Sequence, residues 1–248
     1  MSIIGLDKTD FLEYTRQIFE KNGLSELFTD EAGEKFLCLT ELMLAENEKY
    51  NLTAITEPKK IILNHYADCA VLAKRLPFGT SLCDVGCGAG FPTLPIAILR
   101  PDVKILALDA TAKRTAYVKM ATLELGLSSV AVLTGRAEDA GRDLKYREKF
   151  DTVTARAVAN MRVLAELCLP LCRVGGQFIA MKGKEAEAEL ADAARAIPQL
   201  SGRICSVESI SLSSPDEVHC HPLIVIEKLT RCQASYPRAY ARILKKPL

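Results

Sequence analysis

Apolar positions in the first third of the chain recur every three or four residues. Phe11, Tyr14 and Ile18 fall on one helical face, as do Phe36, Leu39 and Met43, and then Ile62, His65, Tyr66, Cys69 and Leu72. This spacing predicts helices between Thr9 and Leu76. Beyond the turn-forming segment LPFGT the period changes to short β-branched or aliphatic runs, each followed by an amphipathic stretch. The runs are SLCDV, VKILALD, VAVLT, DTVTAR, GQFIAMK, ICSVESI and LIVIEK. Helical spacing is predicted at Pro92 to Leu99, Thr111 to Leu125, Asn160 to Cys172 and Lys184 to Ile197, bounded by prolines or by Gly126. Such alternation predicts an α/β protein with a mostly parallel, doubly wound sheet. Its ligand site belongs beyond the carboxyl ends of the strands, at the point where the strand order reverses. Three segments follow: residues 1–76 as a helical extension packed on the core, 77–230 as a Rossmann-like core, and 231–248 as a tail.

Composition narrows the class. With 248 residues, 49% hydrophobic and 25% charged, the chain can bury a substantial core. The nine cysteines are odd in number and include no C-x-x-C pair, and the opening MSIIGLDKTD lacks the basic-then-apolar pattern of a secretory leader. Reduced thiols and a cytoplasmic location are therefore expected. The most apolar stretch, Phe91 to Leu99, contains two prolines and is far short of the ~20 residues that span a bilayer, so no membrane anchor is expected. The net charge of +1 is unevenly spread. Residues 1–50 carry eleven acidic and five basic side chains, whereas the tail RCQASYPRAYARILKKPL has Arg231, Arg238, Arg242, Lys245 and Lys246 and no acid. Cations that neutralise phosphates, interleaved with Tyr236 and Tyr240 that can stack on bases, suit an RNA contact. A solvated, frayed tail is the alternative.

The first run after the helical region leads into LCDVGCGAGFPTLP. Gly86, Gly88 and Gly90 form G-x-G-x-G after Asp84, whereas the dinucleotide fingerprint G-x-G-x-x-G needs a glycine where Phe91 stands. A glycine loop at this place turns tightly and lets a ligand's anionic group lie against backbone amides. The second run ends in Asp109, the position from which an acid reaches both ribose hydroxyls in such folds. After the third run, GRAED places Ala137 and Glu138 where an amide and a carboxylate can meet an adenine edge. Together these favour S-adenosylmethionine over a dinucleotide, since nothing here reads a pyrophosphate. A glycine-rich turn without a ligand is the other reading.

The blocks YNLTAI, NHYADC, DVGCGAGFPTLPIAI, LDATAKR, GRAED, ARAVA, MKG and HPLIVIEK occur in order between about Lys35 and Glu227. In this the chain resembles the bacterial 16S ribosomal-RNA guanine-N7 methyltransferases, the glucose-inhibited division protein B family. The resemblance implies a Rossmann-like class I methyltransferase fold with a mostly parallel seven-stranded sheet and an N-terminal helical extension. It implies S-adenosylmethionine as cofactor, held by Gly86, Gly88, Phe91, Asp109, Ala110, Thr111, Ala137, Glu138 and Arg156. It also implies 16S ribosomal RNA or the small-subunit particle as substrate; a monomer is expected. The tail keeps the family's YPR and KKPL but has no Gly-Thr-Pro-like linker between them.

Guanine N7 carries an in-plane lone pair and has no proton to lose, so the implied reaction needs no general base and rests on alignment of N7 with the sulfonium methyl. The fourth run is followed by TARAVAN instead of the Asn/Asp-Pro-Pro-aromatic motif of amine-methylating enzymes, and no Pro-Cys pair offers the nucleophile of C5-pyrimidine enzymes. No residue is assigned as catalytic. Arg156, Lys182 and His65 are candidates for positioning. Arg156 either forms an ion pair or holds cofactor or a target phosphate. Lys182 either contacts phosphate or guanine O6 or is a plain exposed lysine. His65 and Asp68, three apart, form either a His–carboxylate pair or a half-buried packing contact. Asn51 with Thr53 either touches RNA or caps the following segment. Arg114 beside Lys113, and Arg238, Lys245 and Lys246 in the tail, complete the candidate RNA contacts. For His219-Cys220-His221, strand alternation and the lack of a second ligand pair argue against a metal, and none is expected. A small-molecule methyltransferase, or an RNA-binding module with vestigial transfer, are the remaining alternatives.

Overall fold

The computed structural model describes residues 5–156, 158–183 and 185–248. The N-terminal third forms α1 (Lys8–Lys21), α2 (Asp30–Tyr50), α3 (Pro58–Ile61) and α4 (Asp68–Arg75), with a π turn over Ile62–Ala67 joining the last two. Asp7 and Thr29 cap α1 and α2 by accepting from the amides of Asp10 and Ala32. The apolar stripes meet as their spacing requires: Phe36 stacks on Tyr66 with centroids 4.3 Å apart, and the Tyr66 hydroxyl lies 2.7 Å from that of Thr40.

The remainder alternates strand and helix: β1 (Ser81–Val85), α5 (Thr93–Leu99), β2 (Lys104–Asp109), α6 (Ala112–Glu124), β3 (Val130–Thr134), α7 (Ala137–Ala140), β4 (Phe150–Arg156), α8 (Met161–Cys168), β5 (Cys172–Met181), α9 (Ala186–Asp192), α10 (Ala196–Gln199), β6 (Gly202–Ser213), β7 (Val218–Lys228) and α11 (Tyr240–Lys245). The seven strands lie in the order β3-β2-β1-β4-β5-β7-β6, parallel except that β7 runs antiparallel to both its neighbours. Side chains alternate between two cores, as the two-residue strand period demands. Leu82, Ile105, Ala107 and Ile179 face the N-terminal helices with α5 and α6. Cys83, Leu106, Leu108 and Phe178 face α8 and the elements around it.

Several boundaries differ from the sequence expectation. The helix expected over Asn160 to Cys172 ends at Cys168, because Pro170 interrupts it and β5 has already begun at Cys172. Leu169 and Leu171 are buried core residues without being helical, which is why periodicity overran the boundary. β7 starts at Val218, five residues before LIVIEK, and takes His219 to Pro222 into the sheet. The stretch expected to be helical from Lys184 to Ile197 comprises two short helices, α9 and α10; Lys184 itself lies outside the described residues.

The tail is folded onto the core. Arg238 donates through its amide, Nε and Nη2 to the fully buried carboxylate of Glu166. Arg147 donates to the carbonyls of Tyr236 and Cys232, and Arg162 to that of Pro247, at 2.7–3.0 Å. All nine cysteines are free.

Candidate functional site

β1 and β4 are the neighbours at which the strand order reverses, and a cavity of about 550 Å³ opens beyond their carboxyl ends. The glycine loop forms its floor. Gly86 has φ +77°, and a Cβ there would stand 2.5 Å from Cγ2 of Val158 on the opposite wall. Gly90 has φ +85°, with its missing Cβ aimed at the Leu94 side chain. Both positions therefore demand glycine, for conformation and for space. The amides of Gly86 and Cys87 donate to the Leu108 carbonyl at 2.7 and 3.1 Å, tying the loop to the end of β2.

Asp109, 6% exposed, ends β2. Its Oδ2 accepts from the Gly88 amide at 3.0 Å and its Oδ1 from the Thr111 amide at 2.8 Å. A carboxylate oxygen has more than one acceptor site, so each can still take a ligand hydroxyl. Arg114 stands 3.8 Å from Oδ2 with its side chain half exposed. Ala110, Ala137 and Glu138 line the same cavity. Asp84, at the end of β1, is fully buried and accepts a hydrogen bond from the Thr93 hydroxyl at 2.6 Å; burial raises its pKa to about 6.

The wall facing the loop is a stack. His65 lies on Phe91 with centroids 4.2 Å apart, and the Arg156 guanidinium sits 5.6 Å from the same ring. Arg156 donates to His65 Nδ1 at 2.7 Å and to Asp68 Oδ2 at 2.9 Å. Since a guanidinium can only donate, His65 Nδ1 accepts and the neutral ring carries its proton on Nε2, 3.3 Å from the Thr53 hydroxyl. The 3.0 Å approach of Nδ1 to the Asn64 carbonyl is then a contact between two acceptors. Burial, and next the Arg156 charge, lower the His65 pKa to about 3. His65 owes its place to the π turn, a helix distortion frequent at functional sites.

Other candidate residues lie elsewhere. Lys182, expected in the cleft, is 8% exposed and outside the cavity lining; its Nζ pairs with Glu189 at 2.7 Å and donates to the Ala159 carbonyl at 2.8 Å. Asn51 is also outside the lining: it ends α2 in a left-handed conformation, closing the preceding helix where a cap on the following segment was expected. Thr53 is the member of that triplet whose hydroxyl reaches the site. Arg238 is committed to Glu166, and Tyr236 is 8% exposed with no face for a base. Lys245 and Lys246 are exposed at the end of α11. Arg136 and Tyr240 are cavity residues beyond the candidates named from the sequence. Both line the cavity, with the Arg136 guanidinium 5.3 Å from the Tyr240 ring. Arg136 stands in the GRAED block that supplied Ala137 and Glu138; no local signal brings Tyr240, far along the chain, to the same rim.

This strand order, with a glycine loop after β1 and an acid ending β2, defines a class I S-adenosylmethionine-dependent methyltransferase. Solved structures share the fold. M. jannaschii TYW2 in complex with AdoMet matches with a TM-score of 0.52 at 14% identity, covering 65% of this chain and 75% of that one. A SAM-dependent O-methyltransferase from Thermotoga maritima matches with a TM-score of 0.50 at 16% identity, covering 77% and 72%. Residues 32–216 match the family model described as rRNA small subunit methyltransferase G. Proteins named ribosomal RNA small subunit methyltransferase G are 44% identical in Clostridium beijerinckii (88% of this chain, 91% of that protein) and 39% identical in Lactobacillus acidophilus (96% and 97%). The chain belongs to the rRNA small subunit methyltransferase G family. It is a methyltransferase, and its cofactor is S-adenosylmethionine.

Proposed function

We propose that the protein methylates N7 of a guanine in 16S ribosomal RNA, as free RNA or in the small-subunit particle, acting as a cytoplasmic monomer with no metal in the reaction. Residues 77–230 would carry the chemistry, 1–76 would brace the wall holding His65, and 231–248 would contribute the basic surface. The supporting observation is the cavity wall itself. Among the described residues that line it, His65 is the sole imidazole, and it is neutral with Nδ1 already accepting from Arg156. With Asp109 and Glu138, the carboxylates of the lining, assigned to the cofactor, no base is left for the substrate, which suits an acceptor nitrogen that has no proton to give up.

The residues present fit the cofactor: the floor lacks a Cβ at Gly86, Gly88 and Gly90, and the acid at the end of β2 keeps acceptor capacity. When bound, S-adenosylmethionine supplies a sulfonium methyl group open to in-line displacement. The Gly86–Gly90 loop would receive the amino-acid end, Asp109 the ribose, and Ala137 and Glu138 the adenine. Phe91, His65 and Arg156 would form the face on which the guanine is aligned, an arrangement that contributes through orientation.

The test is transfer of tritium from labelled cofactor to naked ribosomal RNA, small-subunit particles or a metabolite pool, followed by borohydride and aniline cleavage. Label in RNA with strand scission at one guanine supports the assignment. Label confined to metabolites would replace it with a small-molecule activity, and label in RNA without scission would move the methyl group off N7.

A further inference from the structure

On the side of Asp68 away from Arg156, three metal-ligating side chains converge outside the cavity. One ligand atom each from Asp68, His219 and His221 lie within 4.8 Å of one another. Strand alternation sets Cys220 apart from its neighbours, but His219 and His221, two apart on β7, share a face, and the further ligand that the local sequence lacks is Asp68 from α4. We propose that this cluster is a binding site for a divalent transition metal of the zinc or cobalt type, clamping β7 to the start of α4.

Several observations point to an ion. Asp68 and His221 are 4% and 8% exposed, and among the described residues Asp68 Oδ1 and His221 Nε2 pair with each other and with no other group. The remaining atoms are oriented from behind. Asp68 Oδ2 is held by Arg156 at 2.9 Å, and His221 Nδ1 faces the Pro222 carbonyl at 3.4 Å, which leaves Nε2 as the ligand atom. Glu217, whose Oε1 accepts from Asn64 Nδ2 at 3.2 Å, also acts electrostatically on His219 and adds a second negative charge beside the cluster. Two imidazoles and one carboxylate select zinc-like ions over magnesium or calcium. Two ligands of a tetrahedral ion with bonds of about 2.0–2.1 Å stand roughly 3.3 Å apart, farther than Asp68 and His221 do here. Loading therefore replaces the proton between them and separates the pair, so binding releases a proton and tightens as pH rises.

The probe is cobalt(II) chloride, titrated into chelator-treated full-length protein carrying Cys205→Ser and Cys220→Ser, which removes the exposed thiols. The expected result is one equivalent bound, with visible d–d bands, no thiolate-to-cobalt charge-transfer band, tighter binding at pH 7.5 than at pH 6, and displacement by zinc. His219→Gln and His221→Gln, each checked for folding by circular dichroism, should weaken binding by more than the ~10–100-fold that loss of an orienting partner costs. His219 is only partly buried, so its variant keeps the test interpretable should His221→Gln not fold. Absence of stoichiometric cobalt, a thiolate band, or unchanged affinity in the His219 variant would overturn the site. The outcome is independent of which base the enzyme methylates.

Discussion

Arg156, partly buried, and Asp68, buried, form an ion pair, 2.9 Å from Nη1 to Oδ2, that joins the end of β4 to the first turn of α4. The guanidinium spans that carboxylate and His65 Nδ1, so its position in the cavity is set by residues of the N-terminal helical segment. Removing one partner strands the other's charge in a place of low solvation. Asp68→Asn is expected to lower unfolding free energy by about 3 kcal/mol in urea titrations and to weaken cofactor binding by calorimetry. Unaltered stability would mean that Arg156 is held by its other contacts alone.

Asp109 offers a separate handle on the cofactor. Asp109→Asn keeps an oxygen for one loop amide but removes the charge that strengthens bonds to ribose hydroxyls. Hydrogen bonds to charged groups contribute about 1.5–3 kcal/mol, so cofactor affinity should fall by roughly 10- to 100-fold. Isothermal titration with S-adenosylmethionine measures it, and an equal affinity would remove the ribose assignment.

His65 should make stability depend on pH. Its pKa in the folded protein is lowered to about 3 by burial and by Arg156, against an ordinary value of 6.5. The unfolded chain then binds a proton that the folded one refuses, so stability is lost as pH falls below 6.5 toward 3. Between pH 7.5 and pH 5 the wild type should lose about 2 kcal/mol more than His65→Gln, at 1.36 kcal/mol per unit. Urea denaturation of both proteins at the two pH values provides the comparison; parallel losses would place the proton elsewhere.

Deletion from Arg231 onward would confuse two effects, because it takes Arg238 from the fully buried Glu166. That truncation should cost about 3–5 kcal/mol of stability, read as a fall in melting temperature. Neutralising the exposed Arg242, Lys245 and Lys246 with glutamine avoids the damage: stability should stay within about 0.5 kcal/mol. RNA affinity should drop, and on single strands the salt slope should become shallower by about 0.7 for each phosphate no longer neutralised. A full-strength slope in this triple variant would exclude the tail from the RNA interface.

What was legible in the sequence was local. The glycine loop and Asp109 could be placed because strand ends and the turns after them are set by short-range chemistry. Pairings across distance were not legible. Arg238 and Glu166 are separated by 72 positions, and nothing beside Arg238 distinguishes a cation reserved for a buried acid from one facing solvent. Lys182 failed for the same reason, since the approach of Glu189 depends on how α9 packs. At His219 and His221 the period was known, but the third member, Asp68, arrives from another element. Leu169 and Leu171 read as helix because burial, not conformation, is what apolar spacing reports.

The π turn at Ile62–Ala67 splits one continuous rod into two angular phases. Upstream, Ile61 is clocked to the N-terminal bundle; downstream, Asp68 and Cys69 are clocked to Arg156 at the end of β4. Excising a single residue from that loosened turn would restore ordinary winding and rotate one half by about 100° against the other. Either the bundle would lose its seat or Asp68 would swing off Arg156, so the length of this segment is as constrained as its composition.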